Sequence, residues 1–173
     1  MAISADYIFC PVCATRLEHT EVFNQIRPTC DQCGFVQFRD PKVAVIAFVT
    51  YKDKVLLVRR AVEPSKGKWA LPGGYMDAGE MPEEALSREL DEEVGLSVNI
   101  TRLLEIFPME SRGQPNSGIV LAYEAEPKSD DLITLQSEDD VSAAGWFGQD
   151  DLPVEVAFES TETLLSAWKA TLG

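Results

Sequence analysis

GYMDAGEMPEEALSRELDEEVGL, running from Gly74 to Leu96, is the stretch on which the fold turns. It is crowded with acidic side chains, and Glu89, Glu92 and Glu93 stand at i, i+3 and i+4, the spacing that brings side chains onto one face of a helix. Carboxylates held so close repel one another unless they share a cation, and an all-oxygen ligand set suits hard ions such as Mg2+ or Mn2+. The competing reading is a solvated acidic helix face. Pro82 fits a first helical turn, Glu83 and Glu84 complement the positive helix end, and Glu84 stands one turn from Arg88, the spacing of an ion pair. Gly95 supplies a C-terminal stop. Upstream, Leu71, Pro72, Gly73 and Gly74 read as a tight bend where backbone approaches a ligand or metal with no side chain in the way.

These residues resemble the Nudix box, GX5EX7REUXEEXGU with U aliphatic. Gly74 is its first glycine, Glu80 its isolated glutamate, and Arg88, Glu89, Leu90, Glu92, Glu93, Gly95 and Leu96 fill the remainder. Every specified position is occupied, which leaves little room for chance agreement. The resemblance implies an α+β Nudix fold, a mixed β-sheet sandwiched between α-helices. It also implies hydrolysis of a nucleoside diphosphate linked to another moiety, with water attacking one phosphorus. The catalytic set it implies is Arg88, Glu89, Glu92 and Glu93. Glu89 and Glu93 would ligate Mg2+ or Mn2+, and Glu92 would ligate or orient the water. Gly74 would offer its carbonyl to the metal, and Arg88 would hold the glutamates and Glu80 by ion pairing. A further acidic residue is implied from Glu138, Asp139 or Asp140. Ala143 stands near where related proteins often carry a second glutamate, so the general base is not designated.

All four cysteines fall early in the chain, as Cys10 and Cys13, then Cys30 and Cys33. Two CxxC pairs at this separation match a zinc ribbon, each pair forming a knuckle and four thiolates closing a structural Zn2+ site with no open position. Two disulfides would need an oxidising compartment, and a redox CxxC would follow a strand in a thioredoxin-like pattern; neither signal is present. A ribbon over 1–38 and a catalytic domain over 39–173 are the expected organisation. Within the ribbon, Glu21 to Arg27 suggests a strand partnered by Gly34 to Phe38. His19 receives no metal role, because the cysteines already complete the shell.

With 29 acidic residues against 15 Lys and Arg, the formal net charge is -14. That surface opposes non-specific binding to nucleic acid and anionic membranes, so a phosphorylated substrate needs bound cations or a local basic patch. No stretch is apolar enough to span a membrane, and the start lacks a signal-type pattern; the expected setting is cytoplasmic. The expected partner is a small nucleotide, with a homodimer as the assembly to test for.

Val43 to Val49 reads as a buried strand, and a polar turn at Tyr51 to Lys54 leads to a second strand, Val55 to Val58. Arg59 and Arg60 are a solvated strand end or a substrate clamp. Lys66 and Lys68 are loop lysines that could face phosphate, and Trp69 is expected in the core. Ser97 to Phe107 reads as a strand stopped by Pro108, Met109 to Gly118 as a substrate-facing loop, Ile119 to Ala125 as a strand, and Ser160 to Leu172 as a packing helix. The strings Arg39-Asp40-Pro41-Lys42 and SKGKWALPGGY, with the late Ala157 and Phe158, look closest to zinc-ribbon Nudix proteins that include ADP-ribose and FAD pyrophosphatases. NADH pyrophosphatases share the ribbon, but their SQPWPFPxS signature is missing. A non-catalytic nucleotide-sensing or zinc-ribbon binding module is the alternative. Intact carboxylates and the absence of a basic face argue against it.

Overall fold

The computed structural model describes residues 6–111, 114–129 and 140–171. The chain divides into two compact units, Met1–Pro41 with Glu110–Ser117, and Lys42–Met109 with Gly118–Gly173.

In the first unit, β1 (Glu18–Val22) and β2 (Gln25–Thr29) form an antiparallel hairpin. Phe23 and Asn24 take positive φ of 51° and 59° at its turn, the left-handed pair a two-residue hairpin loop requires. This corrects the expected strand at Glu21 to Arg27: the turn cuts through it, and its partner is Glu18–Val22. The Gly34 to Phe38 segment is not a paired strand: it meets β2 through a bridge between Thr29 and Val36, a hydrogen bond from Gln37 N to the Pro28 carbonyl, and the Arg27 guanidinium over the Phe38 ring.

The second unit is a mixed sheet with a helix on either face. β3 (Lys42–Tyr51) leads through Lys52 and Asp53, again at positive φ, into β4 (Lys54–Arg60). Beyond the turn β3 leaves β4 and pairs antiparallel with β6 (Gly73–Tyr75) and parallel with β8 (Gln114–Pro127). β4 in turn pairs with β5 (Trp69–Ala70) and β9 (Val141–Phe147). β7 (Val98–Ser111) lies beyond β8 at the end of the sheet order.

Alternation along β3 sends Val45, Ala47 and Val49 toward α1 (Pro82–Val94), where they pack with Ala85, Leu86, Leu90 and Val94. Phe48 faces the other way, into a cluster with Leu57, Leu71 and Leu165 that α2 (Glu159–Ala170) covers. Full burial of each of Leu86 and Leu90 stabilises by about 1.5–3 kcal/mol. Trp69 packs on Phe147 in this second cluster, with ring centroids 4.8 Å apart. Among the described residues no helix is long and apolar enough to cross a membrane.

Two further expectations are corrected. Pro108 does not stop a strand, and the described residues of the expected Met109 to Gly118 loop are strand instead, because β7 runs through Ser111 and β8 begins at Gln114. A proline has no N–H to give a ladder, and the end of a sheet is where a strand tolerates that. Leu71 to Gly74 is not simply a bend: Gly73 and Gly74 belong to a short strand opposite Ile46 and Val45.

Candidate active site and metal centre

The helix carrying the acidic face is fixed at both ends by local chemistry. At its start the backbone N–H of Met81 donates to Glu84 Oε2 at 3.0 Å, which occupies Glu84 and corrects the expected Glu84–Arg88 pair. At its end Gly95 takes φ 62°, and the amides of Gly95 and Leu96 donate to the carbonyls of Asp91 and Leu90.

Arg88 instead organises the acidic face. Its Nε and Nη2 donate to the two oxygens of Glu80 at 2.7 and 2.9 Å, its Nη1 donates to Glu89 at 2.9 Å and Glu92 at 3.0 Å, and Nη2 also donates to the Tyr75 carbonyl at 3.1 Å. These contacts occupy all five donors of the guanidinium, leaving none to offer a ligand. Glu80 also accepts from the Asp77 amide. The Arg88 guanidinium, helped by that amide, pulls the Glu80 carboxyl down to about 2.

Glu93 has a different environment. Its Oε2 accepts the Gly73 backbone N–H at 2.9 Å, yet burial pushes its carboxyl up to about 8, with the neighbouring charges of Glu89 and Asp140 adding to the effect. The Gly73 N–H and the positive charge of Arg60 oppose it without overcoming it. Glu89 is also raised, chiefly by burial, with Arg88 pulling against the shift. Two adjacent carboxyls whose anionic forms lack enough positive charge are the donor set a divalent cation would complete, so these residues fit a hard metal ion.

Gly74 lies against Glu89: a Cβ there would stand 2.5 Å from the Glu89 carboxylate. Gly73, at φ 138°, has its own Cβ position filled by the Val45 carbonyl. The two glycines therefore do different things. One lets two strands meet; the other leaves room for Glu89.

The remaining candidates separate. Arg59 donates to the Gly67 carbonyl at 2.8 Å and is exposed, whereas Arg60 donates to the Pro64 carbonyl and lies over the Phe158 ring. Adjacent strand residues face opposite ways, and the charge of Arg60 acts on Glu93. Lys66 and Lys68 are exposed. Asp140 is joined to the same locality through its carbonyl, which accepts the Ala61 amide at 2.7 Å. Glu138 and Asp139 lie outside the described residues, and Ala143 sits opposite Arg59 in the β4–β9 register. His19 pairs with Asp6 at 3.0 Å.

Spacing did not point to the backbone N–H of Gly73 or to Tyr75. The Tyr75 ring is exposed, carries the Lys42 ammonium 5.0 Å from its centroid, and donates its hydroxyl to Met109 Sδ at 3.8 Å. Its only sequence signal was its place directly after Gly74.

The four cysteine sulfurs come together within 4.8 Å of one another; among the described residues no other set of three or more His, Cys, Asp or Glu ligand atoms gathers so tightly. Sγ of Cys13 lies 3.4 Å from that of Cys30 and 3.5 Å from that of Cys33, and Cys10 lies 3.5 Å from Cys33. A tetrahedron with Zn–S bonds of about 2.3 Å has edges of about 3.8 Å, so the group fits one Zn2+. The knuckles repeat one backbone pattern: Cys10 N to Thr15 O and Ala14 N to Cys10 O in the first, Cys30 N to Phe35 O and Gly34 N to Cys30 O in the second.

Residues 40–167 match the family model of the NUDIX domain. The chain is 34% identical over 119 residues to a protein named ADP-ribose pyrophosphatase from Methanocaldococcus jannaschii, covering 69% of this chain and 68% of the relative. It is 33% identical over 148 residues to a protein named NAD-capped RNA hydrolase NudC from Pseudomonas aeruginosa, covering 84% of this chain but only 49% of that relative. The crystal structure of a NUDIX hydrolase from Nitrosomonas europaea superposes with a TM-score of 0.81 at 25% identity, covering 94% of this chain and 91% of that one. With this agreement, and with the box intact on α1, the chain belongs to the Nudix hydrolase family.

Proposed function

We propose that this hydrolase cleaves the pyrophosphate of a nucleoside diphosphate linked to another moiety, with ADP-ribose, FAD or a related dinucleotide as substrate and Mg2+ or Mn2+ as cofactor. The observation that carries the reading is the pairing of under-neutralised Glu89 and Glu93 beside Gly73 and Gly74. Glu89 and Glu93 would hold the metal, with Glu92 and the Gly74 carbonyl completing the protein's share. A metal bound there would polarise the phosphate oxygens and acidify a coordinated water. Arg88 positions the carboxylates, its donors being fully used. Asp140 is our candidate for the additional acidic group, since its charge already acts on Glu93. Tyr75 and Lys42 offer an exposed ring and an ammonium next to Gly74, in a chain with little positive charge to spare.

The dinucleotide preference is supported by the Methanocaldococcus relative, whose name is ADP-ribose pyrophosphatase. The domain division at 38/39, Zn2+ at the four cysteines and a reducing, cytoplasmic setting belong to the same proposal. The test is a hydrolysis panel of ADP-ribose, FAD, NADH and nucleoside triphosphates with Mg2+ or Mn2+, with product identification. Cleavage of ADP-ribose to AMP and ribose 5-phosphate, abolished by EDTA, is expected. Inertness toward the whole panel would sink the reading, and a preference for NADH would move the assignment to that dinucleotide.

A further inference from the structure

The cysteine tetrahedron is not uniform. Cys10 and Cys30, the first cysteine of each knuckle, are each only 3% exposed, whereas Cys13 and Cys33 are exposed. The exposed sulfurs belong to different knuckles and lie 3.5 Å apart. The Thr15 hydroxyl lies 3.4 Å from Cys13 Sγ, where it can hydrogen-bond a thiolate there. One edge of the tetrahedron therefore belongs to two exposed residues and the opposite edge to two buried ones.

We propose that Cys13 and Cys33 form a peroxide-sensitive modification site, whose closure to a disulfide expels the metal from the ribbon. The inference rests on the zinc reading of the four cysteines. A hydroperoxide is the oxidant. The Cys13 thiolate attacks its outer oxygen, the S–O bond forms, the O–O bond breaks, and hydroxide leaves. The Cys33 thiolate then attacks the Cys13 sulfur, closing the S–S bond and releasing a second hydroxide. Two thiolates lose two electrons and the peroxide gains them. Cys10 and Cys30 remain as thiolates, and two ligands do not hold a structural zinc that needs four. A dithiol reverses the bond and restores the site.

The experiment uses the full chain as purified. Zinc content is measured first, then one equivalent of hydrogen peroxide is added. Zn2+ release is followed with a chromogenic chelator, free thiols are alkylated, and disulfides are mapped by mass spectrometry. One zinc released per Cys13–Cys33 disulfide is expected, with Cys10 and Cys30 alkylated and dithiothreitol plus Zn2+ restoring the metal. A first disulfide within either knuckle, or between Cys10 and Cys30, overturns the proposal, as does oxidation without zinc release. A chain lacking zinc at the outset defeats the zinc reading instead, while the map still reports which pair oxidises. Thr15→Val, which keeps all four sulfurs, should slow release several-fold; an unchanged rate removes Thr15 from the mechanism.

Discussion

Gly73 and Glu93, 20 residues apart, are joined by a 2.9 Å hydrogen bond from the backbone N–H of the first to Oε2 of the second. The bond ties the strand before the box to the last glutamate of its helix, so the acidic face is aligned by backbone. It also makes Glu93→Gln a clean test, because the amide oxygen can accept the same N–H while the charge is lost. Turnover should fall at least about 100-fold, the scale of losing a group that stabilises transition-state charge. Melting temperature should not fall and should rise at neutral pH, because a buried carboxyl raised to about 8 disfavours folding there and an amide does not, while zinc content should stay unchanged. Full activity in this variant would remove Glu93 from the metal site.

The paired glycines allow a sharper discrimination. Gly74→Ala places a methyl 2.5 Å from the Glu89 carboxylate, the end of a flexible side chain that can swing aside. The variant should fold normally and lose most of its activity. Gly73→Ala drives a methyl into the Val45 carbonyl at a φ of 138°, where only backbone can yield. It should lose about 3 kcal/mol or more of stability. Denaturant melts and initial rates on both variants test the contrast, and equal destabilisation in the two would refute it.

Arg88→Lys keeps one positive charge but cannot occupy the five acceptors around the guanidinium. The expected result is a 10–100-fold rise in the Mg2+ concentration needed for half-maximal rate, the usual cost of losing an outer-shell partner of metal ligands. A Mg2+ titration of activity reads it. Unchanged metal dependence with only a lower melting temperature would assign Arg88 to folding alone.

Much of this site was legible because its residues are near neighbours in sequence. Glu89, Glu92 and Glu93 are placed by helical period, Gly95 by the need for a left-handed stop, and the cysteines by the reach of two short knuckles. What escaped reading depends on where strands sit. Pro108 and Ser111 look like loop residues, yet β7 runs through both, because a strand at the end of the sheet tolerates a proline. Arg60 acts on Glu93 across 33 residues, and only the β4 register sets which of Arg59 and Arg60 faces that side. Glu84 has the spacing to pair with Arg88, but the Met81 amide competes for it locally.

Stability at low pH should report on the Glu80–Arg88 pair. The Glu80 carboxyl is lowered from 4.5 to about 2 by Arg88, so its ionised form is favoured in the folded chain. A depressed carboxyl contributes stability that is fully present above its unfolded value and is lost as pH falls from there through the folded value. The window is therefore pH 4.5 down to about 2. Glu80→Gln should show a shallower fall in melting temperature across that window than the parent chain. Parallel curves for the two proteins would mean that the pair does not bias folding.

The two knuckles offer a final comparison, because they reach the same backbone shape with different residues. Gly34 stands at φ 75° and Ala14 at φ 61°, each donating its amide to the first cysteine of its pair. A left-handed conformation costs an L-residue about 1–2 kcal/mol relative to glycine. Glycine in turn gives the unfolded chain about 0.4–1 kcal/mol of extra freedom. Ala14→Gly should therefore favour the folded ribbon by about 0.5 kcal/mol, and Gly34→Ala should disfavour it similarly, since a Cβ at Gly34 meets nothing within 4 Å. Ligation of a structural zinc is coupled to folding, so these differences should appear as roughly twofold changes in apparent affinity, in opposite directions. Competition against a zinc chelator measures both. A loss of affinity in both variants would show that Ala14 makes a contact that outweighs its backbone cost.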